Sequence, residues 1–405
     1  MRLVCGYKEL SKAVELLSGL PTAGVSNYPC VVSVDAGTVT LSRSSMNGCI
    51  GVQLNGGTRC VDGRVAVDAS TLGKMLAVAK PGAKEPQDVI LSVRESAGET
   101  LEDLLFVPAA NAPGPMANAL LFRSGAGFKA ELPMVSADEV YTPTQPNSWG
   151  RLRAGLLQDI IRRVGYCTAT KANSNTQQWW IDKLRVTVDD KGKIRAEMTD
   201  GHRAVVAVFD EPEETDPASD AAFTHGTAVD VTLLKWAANA VGSKDSFLFS
   251  VSDQWMWIKT ADTAVAVYVD TTTTYPDFSR VFPKAYKGGC VLPCRMLRDV
   301  LARADSTDAD AVDFDAAEGG SVFVKATGRE RNSMFSEEVD GAVLTGAFSV
   351  RMSVPYIKQA VAGLNMGADD KIRLGWASDT APFGIDADQP GNAGDRSIVM
   401  PTRRD

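Results

Sequence analysis

The chain has 405 residues, too many for one ordinary hydrophobic core and enough for two to four domains. It is 44% apolar and 23% charged, as a globular protein is, and no run approaches the roughly 20 continuous apolar residues that span a bilayer. A formal charge of −8 speaks against a nucleic-acid partner unless Lys and Arg are gathered on one surface. Met1 to Tyr7 form an apolar stub too short for the central part of a signal peptide, so export is not expected. The seven cysteines are odd in number and scattered, which fits reduced thiols in a cytoplasm.

In chain order, a short alternating strand followed by an amphipathic helix recurs six times, with helix starts about 60 to 85 residues apart. The first predicted helix is Lys8 to Leu20, followed by a β run from Cys30 to Leu41. A second helix covers Asp68 to Lys80, with Ser70 and Thr71 as capping residues, before the strand Val89 to Val93. The polar stretch Tyr141 to Trp149 is a connector, and Arg151 to Gly165 is the third helix. Strands at Leu184 to Val188 and Arg203 to Phe209 precede the fourth helix, Asp230 to Lys244, with Thr232 as its capping residue. Phe247 to Lys259 and Thr263 to Val269 are β runs, and Phe282 to Gly289 is a second connector. The fifth helix is Pro293 to Ala304 and the sixth Arg351 to Leu364, with Pro293 and Pro355 suited to first turns. Strands at Ser321 to Lys325 and Lys371 to Trp376 complete the pattern.

Alternation along the strands implies antiparallel sheets covered on one face, and hence an α+β fold. The connectors divide the chain at 1–142, 143–286 and 287–405, each third holding two helix-on-sheet units. Two such chains meeting head to tail would form a pseudo-sixfold ring.

The six predicted helices carry +9 in net charge, leaving −17 on the remainder. Their cations are Lys8, Lys12, Lys74, Lys80, Arg151, Arg153, Arg162, Arg163, Lys235, Arg295, Arg298, Arg303 and Lys358. If the helices face one way, that surface is positive enough for duplex phosphate; the alternative is a solubilising helix face. No helix shows side chains patterned to read base edges, so any DNA contact is expected to be sequence non-specific.

Three segments carry a family resemblance: Thr199-Asp200-Gly201-His202-Arg203, then Tyr275-Pro276-Asp277-Phe278 with Arg280-Val281-Phe282-Pro283, then Ile398-Val399-Met400-Pro401-Thr402-Arg403. In order and spacing they resemble the bacterial DNA polymerase III beta sliding clamp family, and the layout is similar over essentially the whole chain. The resemblance implies a non-enzymatic, head-to-tail homodimeric ring around duplex DNA in the cytoplasm, without a cofactor. It also implies a pocket between the second and third domains, where replicative polymerase, clamp loader and repair proteins dock a short apolar motif. Residue by residue that pocket comprises Ile181, Thr199, Gly201, His202, Arg203, Ala204, Pro276, Arg280, Val281, Ile398, Val399, Met400, Pro401 and Thr402. Ile181, Val281, Ile398 and Met400 would form its apolar floor.

The departures are specific. Ala204 is small where the family places a bulky aliphatic residue, and Thr402 is more polar than its counterpart. Asp305-Ser306-Thr307 is polar where the family packs apolar residues against the neighbouring subunit, opposite an edge running through Phe128 to Leu132. A Pro- and Ala-rich insertion surrounds Pro108 to Pro115. Together they suggest a divergent member, and they leave open a clamp-like module that binds peptides without closing a ring.

With His202 and His225 the only histidines, a multi-histidine metal site is excluded. Asp200 and His202 could form an acid–base pair but have no evident nucleophile. Cys290 and Cys294 have the spacing of half a metal site with no second half, so packing is favoured and no metal is expected. Trp179, Trp180, Trp255 and Trp257 are expected in a core or on a sheet surface rather than as a base-stacking platform.

Overall fold

The computed structural model describes residues 1–21, 28–55, 59–94, 118–125, 127–135, 143–168, 180–181, 183–188, 193–209, 226–252, 254–271, 274–330, 333–364, 366–388 and 395–402. The stretch Pro108 to Pro115, Trp179 and His225 lie outside them.

Six helices stand among the described residues: α1 (Tyr7–Ser18), α2 (Ala69–Val78), α3 (Leu156–Val164), α4 (Val231–Val241), α5 (Cys294–Asp305) and α6 (Val354–Gly363). Each follows a strand, respectively Arg2–Gly6, Gly63–Asp68, Gly150–Leu152, Thr227–Asp230, Gly288–Pro293 and Phe348–Ser353. Five helices start on the residue after the strand; before α3 a short turn through Gly155, at φ +72°, intervenes. The last strand residues Gly6, Asp68, Pro293 and Ser353 keep extended backbone with ψ of 120° to 138°, so one residue serves as strand end and helix cap. In α1, Tyr7, Leu10, Ala13, Val14 and Leu17 recur at helical spacing and are buried, while Lys8, Lys12 and Glu15 face solvent. All described strand pairings are antiparallel, which makes this an α+β fold, as the alternation predicts.

Several boundaries differ from the sequence reading. Asp68 caps α2, its Oδ1 accepting from Thr71 N at 2.7 Å and Thr71 Oγ1 at 2.6 Å, so Thr71 is the donor rather than the cap. Thr232 lies inside α4 instead of ahead of it. Pro293 is the residue before α5, whereas Pro355 does occupy the first turn of α6. Arg151 sits in a strand opposite Leu248, and Arg351 in a strand opposite Asp313, because ladder pairing claims their backbones before the helices begin. The Cys30 to Leu41 run is a hairpin of Pro29–Asp35 and Thr38–Ser44, turning at Ala36 and Gly37, both at positive φ. The Phe247 to Lys259 run is likewise two strands, Phe247–Ser252 and Trp255–Lys259.

The chain divides into two compact units, Met1–Gly155 with Thr232–Tyr268, and Leu156–Val231 with Val269–Asp405. Residues 143–286 therefore contribute to both. In the first unit α1 packs on α2, and Leu3, Leu10, Leu41, Leu72, Leu91 and Phe122 are fully buried. In the second, α5 packs on α6 over a core in which Phe314 and Phe348 lie 6.4 and 6.2 Å from the ring of Phe383. No helix among the described residues is long and apolar enough to cross a membrane.

Candidate functional site

The second unit gathers the three resembling segments. Strands Ile194–Thr199 and Arg203–Phe209 pair with Thr199 opposite Ala204, leaving Asp200-Gly201-His202 as the turn. Gly201 stands at φ +85°, a conformation that disfavours side chains with a Cβ. Asp200 Oδ1 accepts the backbone N–H groups of His202 and Arg203, each at 3.0 Å, and Thr199 Oγ1 donates to Arg203 O at 2.6 Å. Four residues thus tie the turn through short-range hydrogen bonds.

Arg203 is the main long-range anchor. Its Nε donates to Asp200 Oδ2 at 2.9 Å, Nη2 to Tyr166 O at 2.7 Å, and Nη1 to Gln359 Oε1 on α6. The guanidinium also lies 4.4 Å from the Tyr356 ring centroid. With its side chain 3% exposed, Arg203 is buried and supports the turn through these contacts.

Arg203–Phe209 pairs on its other edge with Arg396–Val399, placing Ala204 opposite Ile398 and Arg203 opposite Val399. Met400 N then donates to His202 O at 2.8 Å, and Thr402 N to Arg351 O at 2.8 Å, fixing the tail beside the turn. Ser397 Oγ meets Tyr166 Oη at 2.8 Å. Ala204 and Ile398 enter an apolar cluster with Tyr275, Phe278 and Phe282, against which Trp180 packs. The rings of Tyr275 and Phe278 stack at 5.8 Å and those of Phe278 and Phe282 at 6.1 Å. Tyr275 Oη donates to Lys183 O at 2.9 Å, and burial raises this phenol above its ordinary range. Asp277 caps the short helix Phe278–Arg280 by accepting from Ser279 N at 3.0 Å; the Ser279 hydroxyl first and then this backbone N–H lower its carboxyl below the usual range.

The proposed apolar floor separates into two layers. Ile181 and Ile398 are buried at 4% and 2% exposure and belong to the interior, whereas Val281 and Met400 stand 40% and 38% exposed. Val399 is also interior, in the core with Phe383. His202, Gly201, Arg280 and Thr402 are exposed, while Thr199, Pro276 and Pro401 are half-buried. Val281, beside Phe282 in sequence, and Met400, two residues after Ile398, are thus the exposed apolar members of the set. Sequence reasoning missed Tyr166, Tyr356 and Gln359 as supports; the only local signal is that Tyr356 and Gln359 stand three apart on one helix face.

Asp200 meets His202 through the backbone N–H, and both its carboxylate oxygens are engaged, so the two do not form an acid–base pair. Cys290 and Cys294 are buried, burial pushes the Cys290 thiol up to about 12, and no metal-holding cluster occurs among the described residues.

The cations expected to face DNA are also divided. Lys8, Lys12, Lys74, Lys80, Lys235 and Arg295 are exposed and carry no ion pair among the described residues. Arg151 is exposed and donates to Ser246 Oγ at 3.2 Å; Arg153 is half-buried, its Nη1 donating to Ala154 O at 3.2 Å. Arg162 pairs with Asp159 at 2.9 Å, Lys358 with Asp305 at 2.6 Å, Arg303 with Glu337, and Arg298 donates to Met366 O at 3.0 Å. Arg163 is 13% exposed, ion-paired with the buried Asp395 and 4.2 Å from the Phe209 ring centroid, so its charge is directed inward. The folded helices carry +5 rather than +9, chiefly because Arg151, Arg153, Arg351, Lys80 and Lys244 fall outside them.

No family profile and no curated protein sequence matches the chain. Solved structures do. The DNA polymerase III subunit beta of Pseudomonas aeruginosa aligns over 100% of both chains at 15% identity and TM-score 0.78. The DNA polymerase sliding clamp of Caulobacter crescentus aligns over 100% of both at 19% and 0.78. The DNA polymerase III beta subunit of Thermotoga maritima does so at 17% and 0.74. Over its full length, this chain has the fold of the bacterial DNA polymerase III beta sliding clamp.

Proposed function

We propose that the protein is a DNA sliding clamp, a non-enzymatic processivity factor that closes as a head-to-tail homodimer around duplex DNA in the cytoplasm. In this reading the chain is three clamp domains, 1–142, 143–286 and 287–405, each with two of the six strand-to-helix units. Exposed helix cations such as Lys8, Lys74, Lys235 and Arg295 contact phosphate without reading sequence. Partner peptides from polymerase, clamp loader and repair proteins dock on Val281 and Met400 beside His202, between the second and third domains.

The observation that carries the reading is that the strand leaving the Asp200–Arg203 turn, the Tyr275–Phe282 aromatic segment and the Arg396–Val399 strand share one buried cluster. A second reading, a peptide-binding module that does not close a ring, is favoured by the end of α5. There Asp305 is paired with Lys358, while Ser306 Oγ and Thr307 Oγ1 donate to carbonyls of their own helix at 2.7 Å each, leaving no apolar surface at those residues.

Light scattering across a dilution series, followed by retention on nicked circular DNA that is then linearised, tests the function. A dimer retained on circles and lost from linear DNA is the expected result. A monomer that still binds polymerase peptide would select the second reading.

A further inference from the structure

A separate cavity of about 830 Å³ opens in the first unit, where α1, the end of α4 and the strands around Leu248 meet. Its size lies in the range of ligand sites. The floor is aliphatic, with Leu16, Val52, Leu54 and Leu248 among its residues, and no aromatic side chain lines it among the described residues.

Charge around this floor is unequal. Arg151, Leu248 and Lys259 are partners across three neighbouring strands, so two cations flank one apolar side chain on a single face. Lys12 and Lys244, both exposed, add positive charge at the rim. None of these four cations has an ion pair among the described residues; Lys259 Nζ lies 5.7 Å from the Trp149 ring centroid. Of the three lining carboxylates, Glu9 accepts from Asn55 N, and Asp262 Oδ1 accepts from the hydroxyls of Thr260 and Thr263 at 3.1 Å each. These bonds fix the two carboxylates without removing their charge, so with Asp245 the three leave the four cations in excess by one.

We propose that this cavity is a second docking site, for a short acidic peptide with aliphatic anchor residues. Leucine-like side chains fill the floor, and carboxylates on either side meet Lys259 and Arg151 in the row and Lys12 and Lys244 at the rim. A nucleotide fits less well, because its bases would find no ring to stack on. The site is distinct from the Val281 and Met400 surface, and its occupancy does not depend on ring closure.

The test is fluorescence polarisation with a labelled octapeptide of leucine, aspartate and glutamate on the full-length protein. Saturable binding is expected, weakened about tenfold by Lys244→Glu with Lys259→Glu and unchanged by Met400→Glu. No binding, equal binding by the double variant, or loss in Met400→Glu would overturn the proposal. A probe with lysine in place of the acidic residues needs no variant, and binding it as tightly as the acidic peptide would do the same. Displacement of the acidic peptide by an oligothymidylate acting through Lys244 and Lys259 would assign the cavity to phosphate instead.

Discussion

Asp200 and Arg203, three residues apart in one turn, bind each other at 2.9 Å with side chains 1% and 3% exposed. Each is the other's principal charge compensation inside the protein. Breaking a buried pair from one side leaves an uncompensated charge, which costs about 3 to 5 kcal/mol. Arg203→Ala should therefore destabilise the second unit by that order in urea titration, and Arg203→Lys should not restore it, since a single ammonium cannot reach Asp200, Tyr166 and Gln359 together. A variant of unchanged midpoint would contradict the anchoring role.

Gly201 permits a clean backbone test. A Cβ placed there meets nothing within 4 Å, so Gly201→Ala should cost only the left-handed conformation, about 1 to 2 kcal/mol, without steric damage. Peptide affinity should fall less than stability if the turn keeps its shape.

Removing the tail from Ser397 onward would also delete Val399 from the core and the Ser397 contact with Tyr166. Point changes at the exposed layer discriminate better. Val281→Glu and Met400→Glu should each weaken polymerase-peptide binding by about tenfold or more while the melting temperature stays put. Unchanged affinity in both would remove these residues from the docking surface.

Among the basic residues, Lys74→Glu, Lys235→Glu and Arg295→Glu should shorten retention on circular DNA. Each lost phosphate contact should flatten the salt dependence of affinity by about 0.9 in log–log slope. Arg163→Glu should behave differently and unfold the second unit, because its partner Asp395 is buried.

Burial pushes the thiols of Cys5, Cys30, Cys49 and Cys290 up to about 12 from 9.0. The unfolded chain ionises them near the lower value and the folded chain near the higher. Their contribution to stability is thus complete below pH 9 and is lost as pH rises toward 12. Thiolate absorbance in an alkaline titration should appear cooperatively with unfolding; ordinary titration beginning at pH 9 in folded protein would contradict this burial. Half-exposed Cys60 should be alkylated first at neutral pH.

The strand-to-helix repeat was legible because burial imposes period on sequence: Leu10, Val14 and Leu17 on α1 could be placed before any contact was known. The first and third motifs meet where Ala204 pairs with Ile398, and both residues join the cluster of Tyr275, Phe278 and Phe282 from the second. The destination of individual charges was not legible. Arg203 reaches Tyr166 and Gln359 across 37 and 156 residues, and Arg163 reaches Asp395 across more than 200, while residues adjacent to each in sequence give no sign of inward direction. Helix starts at Arg151 and Arg351 were misplaced for a related reason, because pairing with distant strands decides them.

The fastening of the His202 turn to Tyr166 and α6 has an entropic consequence. A surface already held in one conformation gives up little freedom when it is covered, so if a partner peptide docks there as proposed, nearly all the ordering cost of association falls on the peptide. Partners should then differ in affinity mainly through their own flexibility, and constraining a weak ligand by cyclisation should gain more than adding contacts to it.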